Sequence, residues 1–384
     1  MSGDLRVLAV CNYPSDTRPT HQVFVRALLR EMKALGADIT VLAPEPLWTL
    51  TKAGSRFRLP PRLEHRDGMP VHRPRYWTYS TIPLPLGGNT RRWSDRSRLR
   101  TLFREARTLT GSYDLCMAHF LYPHGLAAAH LGDLLRIPAV VSLGESSFDR
   151  YEAAYDPSEI GRLLAGFSGV IANSPLIQER CVSRYGLPEA RVRVFPNGVN
   201  ERHFYPRERG AARERCGLPP LRPIVVFVGQ FIERKGPSRV LEAIRSRRDI
   251  GAVFLGNGPQ APSGAQVLHS GAVSHEEMPF WLSAADVFVL PTLDEGCSNA
   301  ILEALFCGLP VVSSDLPFNR RILDDDVAIL VDPRDANALS RAILTLVDDP
   351  DRRATMSRAA LARSVSFRLS DRAARILTFF RSIL

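Results

Sequence analysis

Two carboxylates eight residues apart, and two cations between a pair of glycines, are the parts of this chain best suited to chemistry. Glu295 and Glu303 bracket the run that begins Gly296-Cys297-Ser298-Asn299. Upstream, Gly229-Gln230-Phe231-Ile232-Glu233-Arg234-Lys235-Gly236 sets Arg234 beside Lys235. Glycines and adjacent cations between a strand and a helix make an anion cradle, because backbone N–H groups can approach the anion closely. Lys235 stands out: the only other lysines are Lys33 and Lys52, and the remaining cations are arginines. A compact ammonium suits a phosphate oxygen as a point charge, while a guanidinium adds a forked contact. The alternative open at this point is that both cations cap a surface loop. Carboxylates beside a diphosphate would be repelled by it, so Glu295 and Glu303 are expected to grip sugar or ribose hydroxyls. For Glu303 the alternative is an ordinary solvated helix position.

The elements that position these residues follow from hydropathy. Short apolar runs alternate with helix-period segments from end to end, the rhythm of βαβ units on a parallel sheet. One series of strand candidates is Leu5–Val10, Ile39–Ala43, Leu115–Ala118, Ala139–Ser142 and Val170–Ala172. A helix over Gln22–Leu35, with Val25, Leu28, Leu29 and Met32 on one stripe, ends at Gly36. The second series runs Ile224–Val228, Val253–Leu255, Val267–His269, Val287–Leu290, Val311–Ser313 and Ala328–Val331. The Pro- and Arg-rich stretch from Asn197 to Pro223 reads as the linker between two doubly wound domains. Such sheets bind ligands beyond the carboxyl ends of their strands, so a cleft between the domains is the expected site. The cation pair follows Ile224–Val228. The carboxylates follow Val287–Leu290, with Ser298 or Asn299 as N-cap of a helix ending at Gly308. The free N–H groups of residues 297–300 at that helix start offer a second place for phosphate.

The stretch from Glu295 through Glu303 to Gly308-Leu309-Pro310-Val311-Val312 resembles the signature of glycosyltransferase family 4. Four more segments match in the family's order: Val194-Phe195-Pro196-Asn197-Gly198-Val199-Asn200, the Gly229–Gly236 loop, Leu255-Gly256-Asn257-Gly258-Pro259, and Ser270-Gly271-Ala272-Val273. The resemblance is dense from about Ile171 to Pro350. It implies an α/β chain of GT-B fold, two Rossmann-like domains facing a central cleft. Residues 1–200 would form the acceptor-side domain, 201–365 the nucleotide-sugar domain, and 366–384 a helix returning to the first. It further implies retaining transfer of a sugar from a UDP- or GDP-sugar to a glycan or lipid-linked acceptor in surface-polysaccharide synthesis, with no cofactor and no obligatory metal.

By the same resemblance Lys235 neutralises the leaving diphosphate, and backbone donors from Gly296 to Asn299 hold it, with Arg234 expected to add a forked contact and to substitute for the cation missing at Gln230. Gly229 and Gln230 line the donor loop, Glu295 positions sugar hydroxyls, Glu303 binds the ribose, and Val273 meets the base. Two positions depart from the pattern. Gln230 stands where the family usually has arginine, and Leu143 where it often has histidine. Glu145 and its neighbours are expected to serve in that histidine's place. In the first domain, His119 and His124 around Phe120-Leu121-Tyr122-Pro123 are candidates for touching acceptor or donor. Asn12 and Tyr13 lie where an acceptor loop is expected, although the family's frequent glycine pair is absent there.

Composition bounds the alternatives. The chain has 384 residues, 45% apolar and 23% charged, enough for two cores and too apolar for disorder. No apolar run approaches the roughly 18 residues of a membrane span. Leu5–Val10 is too short for a signal-peptide core. Six cysteines with no C-x-x-C pair favour a reducing compartment, hence the cytoplasm. Residues 52–107 hold 14 basic against 4 acidic residues, an excess as large as the net charge of +10 for the whole chain. Within that stretch Arg92, Arg96, Arg100 and Arg104 form an i, i+4 ladder on a helix expected over 93–109. Docking to an anionic membrane, contact with a charged polymer and a merely solvated face are all compatible with it. A nicotinamide-dependent oxidoreductase is disfavoured because no G-x-G-x-x-G opens a helix. Nucleic acid is disfavoured because no aromatics interleave with the ladder for stacking. A catalytically silent sugar or nucleotide binder, scaffolding a glycan assembly complex, remains the alternative from another class.

Overall fold

The computed structural model describes residues 4–18, 22–47, 59–79, 91–109, 111–144 and 148–384. The chain divides into two compact units, Met1–Phe195 with Ala373–Leu384, and Pro196–Arg372.

In the first unit the strands are β1 (Arg6–Val10), β2 (Asp38–Leu42), β3 (Glu45–Pro46), β4 (Leu63–Arg66), β5 (Met69–His72), β6 (Arg75–Tyr76), β7 (Leu115–His119), β8 (Ala139–Leu143), β9 (Gly169–Ala172) and β10 (Val192–Val194). Eight of them form a sheet in the order β10-β9-β8-β7-β1-β2-β5-β4. It is parallel except for the β4–β5 hairpin. That hairpin turns at Asp67-Gly68, both with positive φ (56° and 73°), the geometry an Asp-Gly pair favours. The central strands β7, β8 and β9 are buried at every position, which is why they read as unbroken apolar runs. The helix Val23–Ala34 packs with Val25, Leu28, Leu29 and Met32 inward, as its stripe predicts.

The second unit holds β11 (Ile224–Val228), β12 (Gly251–Leu255), β13 (Val267–Gly271), β14 (Val287–Leu290), β15 (Val311–Ser314) and β16 (Ala328–Val331). They form one parallel sheet in the order β13-β12-β11-β14-β15-β16. In both units the chain winds one way from a central strand and then restarts on that strand's other side. The reversals fall between β1 and β7, and between β11 and β14.

The stretch expected as a linker is instead built into the second unit. Phe204 and Ala212 are buried in its core, and Arg209–Cys216 is a helix. From that helix the buried Arg213 donates to Asp286 at 2.8 Å, and Asp286 also accepts from the Ile224 backbone N–H at the start of β11. Arg209 and Arg213 therefore anchor the sheet through Asp286 rather than solvate a tether. The C-terminal helix spans Leu369–Ile383. In the first unit Phe379 from this helix packs on Phe195, and the bare Gly169 faces Phe379 and Ile383 where a Cβ would come within 3 Å of both.

Candidate active site

The reversal between β11 and β14 is where a doubly wound sheet opens a crevice. Here the loops leaving those two strands are stitched together. The Leu293 N–H donates to the Arg234 carbonyl at 2.8 Å, and the Arg234 guanidinium donates to the Asp294 carbonyl at 2.6 Å. The buried Thr292 hydroxyl reaches the carbonyls of both Arg234 and Asp294. Across this seam the Lys235 ammonium pairs with the Glu295 carboxylate. Burial and the neighbouring Arg234 draw the Lys235 ammonium down to about 8, against the opposing pull of Asp294.

Two further matched segments complete the edge. The Asn257 carbonyl accepts from the Phe231 N–H at 2.7 Å, and the Gly229 N–H donates to the Leu255 carbonyl at 3.0 Å. Gly256 is required here: at φ 155° a Cβ would lie 1.9 Å from the Gly229 carbonyl oxygen. From the other side Asn197 donates its amide to the Cys297 carbonyl at 3.0 Å, fixing the start of the helix Asn299–Phe306. Ser298 occupies the N-cap position without a side-chain cap. Among the described residues, the N–H groups of 297–300 find no protein acceptor and stay available. Gly308 follows the helix at φ 72° in the left-handed conformation expected there.

Glu303 lies just over one turn inside this helix and is half-buried. No cation is paired with it among the described residues, and burial pushes its carboxyl up to about 8. It is therefore not the solvated helix residue that sequence allowed. Val273, two residues past β13, packs against the same core. Gln230 is exposed.

In the first unit the loops after β1 and β7 flank the equivalent reversal. His119 and His124 are both buried, at 4% and 3% exposure. Phe120 between them takes φ 71°, and its carbonyl accepts from the Gly125 N–H. Phe24, from the helix after β1, packs its ring 5.4 Å from His119 and 6.2 Å from Phe120. Tyr122 stacks on Tyr155 at 3.7 Å. Tyr13 is buried, and its hydroxyl donates to Asp67 at 2.7 Å; burial and the Asp67 carboxylate push that phenol up. Asn12 is half-buried beside it. Glu145 lies outside the described residues, as does the Arg92 side chain.

Several supporting groups carried no signal of spacing. Arg73, 1% exposed, holds the loop after β1 by donating to the carbonyls of Tyr13 and Pro14. Asn319 donates to Ser313 and to the Ser314 carbonyl, and Ser314 donates to the Thr292 carbonyl at 2.5 Å. That chain of contacts braces the Glu295 loop from behind. Only the fold brings these residues together.

This arrangement defines a class. The model of the Glycosyltransferase Family 4 family matches residues 21–203, and that of Glycosyl transferases group 1 matches residues 208–363. The chain belongs to this glycosyltransferase family and is an enzyme of GT-B fold, with two Rossmann-like units. Among its relatives, TuaC of Bacillus subtilis (strain 168), provisionally named a teichuronic acid biosynthesis glycosyltransferase, is 31% identical, with 86% of each chain covered. A D-inositol 3-phosphate glycosyltransferase of Arthrobacter sp. (strain FB24) is 28% identical, covering 90% of this chain and 86% of its own. In solved structures the same fold occurs in a sucrose-phosphate synthase of Thermosynechococcus elongatus, with TM-score 0.74, 22% identity, and 98% and 99% of the two chains covered. It occurs also in Anabaena HepE in complex with UDP-glucose, with TM-score 0.74, 17% identity, and 98% and 100% covered.

Proposed function

We propose that this glycosyltransferase moves a sugar, with retention, from a UDP- or GDP-sugar to a glycan or lipid-linked acceptor in the synthesis of a surface polysaccharide. The observation that carries this reading is the junction of Lys235, Glu295 and the free N–H groups of 297–300 at the β11–β14 reversal. In the reaction the bond from the anomeric carbon to the diphosphate oxygen breaks, and the diphosphate keeps the electron pair. The acceptor hydroxyl oxygen bonds to the anomeric carbon, and its proton passes to the departing phosphate oxygen.

Charge grows on the diphosphate as that bond stretches. Lys235 and the helix-start N–H groups, aimed in advance, stabilise it more in the transition state than in the bound donor. Glu295, released from Lys235 by the incoming diphosphate, turns to the sugar hydroxyls. Glu303, largely protonated at neutral pH, donates to or accepts from the ribose. Val273 meets the base. With Lys235 and backbone donors supplying the positive charge, the reaction is proposed to need neither cofactor nor obligatory metal. Gln230 leaves the donor loop one cation short. Arg234 is committed to the Asp294 carbonyl and holds the loop rather than replacing the missing charge. In the first unit Glu145, Asn12, His119 and His124 are proposed on the acceptor side, with His119 and His124 set by the rings around them.

Two similar proteins support parts of this reading: HepE was solved with UDP-glucose, which fits a nucleotide-sugar donor, and TuaC is named for teichuronic acid biosynthesis, which fits a glycan acceptor. All six cysteines are free, which fits a cytoplasmic protein, and no helix among the described residues is long and apolar enough to cross a membrane. A thermal-shift panel with UDP, GDP, ADP, CMP and their common sugar conjugates tests the reading. A ligand at 100 times its Kd adds about 2.7 kcal/mol, on the order of 5–10 °C for a unit of this size. A shift with UDP or GDP and their sugars supports it. No shift with any nucleotide overturns it, and binding without turnover would favour the silent nucleotide binder.

A further inference from the structure

We propose that the outer face of the helix Arg91–Ala106, with the segment that follows β6 beside it, docks on an anionic phospholipid bilayer. The helix turns its apolar side inward: Leu102 and Ala106 are buried, and Leu99 and Phe103 pack on the same core. It therefore cannot lie in the membrane on an apolar stripe, as free amphipathic helices do. Its two acids are also spent inward. Asp95 pairs with Arg98 at 3.1 Å, and Glu105 with His72 at 2.9 Å.

What remains outside is of one kind. Trp93, Arg96, Arg100 and Arg104 follow the three- and four-residue steps of a single helix face, and Arg107 lies in the turn beyond. All five side chains are exposed, and none of these arginines has an ion pair among the described residues. The neighbouring segment adds aromatics. The Trp77 N–H donates to the Ser97 hydroxyl and the Tyr79 N–H to the Ser94 hydroxyl, fastening this segment along the helix. Trp77 is 65% exposed, and Tyr79 meets Trp93 edge-on at 5.7 Å, both rings half exposed.

Unopposed arginines alone would suit any polyanion. Exposed tryptophan and tyrosine beside them select the bilayer interface, where their rings settle among headgroups while guanidinium groups meet phosphates. The surface is independent of the proposed donor site, so its test reads binding alone. The full-length protein is sedimented with vesicles of phosphatidylcholine, with and without phosphatidylglycerol, at low and high salt. Partition should require phosphatidylglycerol and fall as salt shortens the screening length from about 10 Å to about 3 Å. With each basic residue contributing roughly 1 kcal/mol, the triple variant Arg96→Gln, Arg100→Gln, Arg104→Gln should lose about a hundredfold in partition. Trp77→Ala with Trp93→Ala should lose roughly tenfold at unchanged salt dependence. Circular dichroism and nucleotide binding verify that each variant is folded. Equal partition onto neutral vesicles, or no loss in the triple variant, overturns the proposal. So does capture by soluble polyglutamate without partition onto vesicles, which would assign the face to a charged polymer.

Discussion

The two units share one winding and fill its reversal with opposite materials. Between β11 and β14 the loops carry an ammonium, a carboxylate and unpaired N–H groups, all held by backbone contacts. Between β1 and β7 the loops carry buried histidines among aromatic rings, with the Tyr13 phenol already committed to Asp67. The topology thus supplies a crevice at each reversal, while the loop residues decide its chemistry. A fixed charged site suits a diphosphate common to every donor. Rings and imidazoles offer stacking and neutral hydrogen bonds instead, which suit the proposed acceptor side.

The sharpest way to break this contrast is to remove its charge. Lys235→Ala should lower kcat by about 10²–10³, because one prearranged donor to a developing anion is worth that much, with a much smaller change in nucleotide affinity. Steady-state kinetics with the donor found by thermal shift would show it, and full activity would sink the assignment. Next is the scaffold behind that charge. Gly256→Ala forces a Cβ against the Gly229 carbonyl and should cost about 3 kcal/mol, a fall of roughly 6–12 °C in the Tm measured by calorimetry.

Glu303 gives a subtler break, because its chemistry is pH-dependent. Its carboxyl rises from the usual 4.5 to about 8 in the folded chain. Between those values the folded state binds a proton that the unfolded state has released, so stability should decline as pH climbs from about 5 to 8. Glu303→Gln should flatten that decline and weaken nucleotide binding by about tenfold. Denaturant titrations across pH, with calorimetric binding, separate the two effects. The smallest change expected is a gain: Gln230→Arg restores a cation to the donor loop and should tighten diphosphate binding several-fold. An unchanged Kd would mean that the loop has already balanced its charge.

How much of this was legible depends on where the information lies. Buried parallel strands such as β11 and β14 are contiguous apolar runs, and their bounds follow from hydropathy alone. The β4–β5 hairpin escapes hydropathy, although Asp67-Gly68 marks its turn, because the edge strand β4 is polar and the alternation of Met69 and Val71 in β5 spans only four residues. In the site, Lys235 and Glu295 each stood out by type and spacing. Their pairing did not, since it arises from the adjacency of β11 and β14. The Thr292–Ser314–Asn319 bracing was likewise invisible, being made by register between strands rather than by any local pattern. The Asn197–Pro223 stretch misled because arginine-rich sequence looks like a tether until Asp286 is found beneath it.

Hydrogen exchange of the full chain, with and without the nucleotide that gives a thermal shift, tests the contrast between the two reversals most directly. The account predicts slowed exchange at residues 229–236 and 295–303, with little change at 119–125. Protection at 119–125 that left 229–236 and 295–303 unaltered would place the nucleotide in the wrong unit and contradict the account.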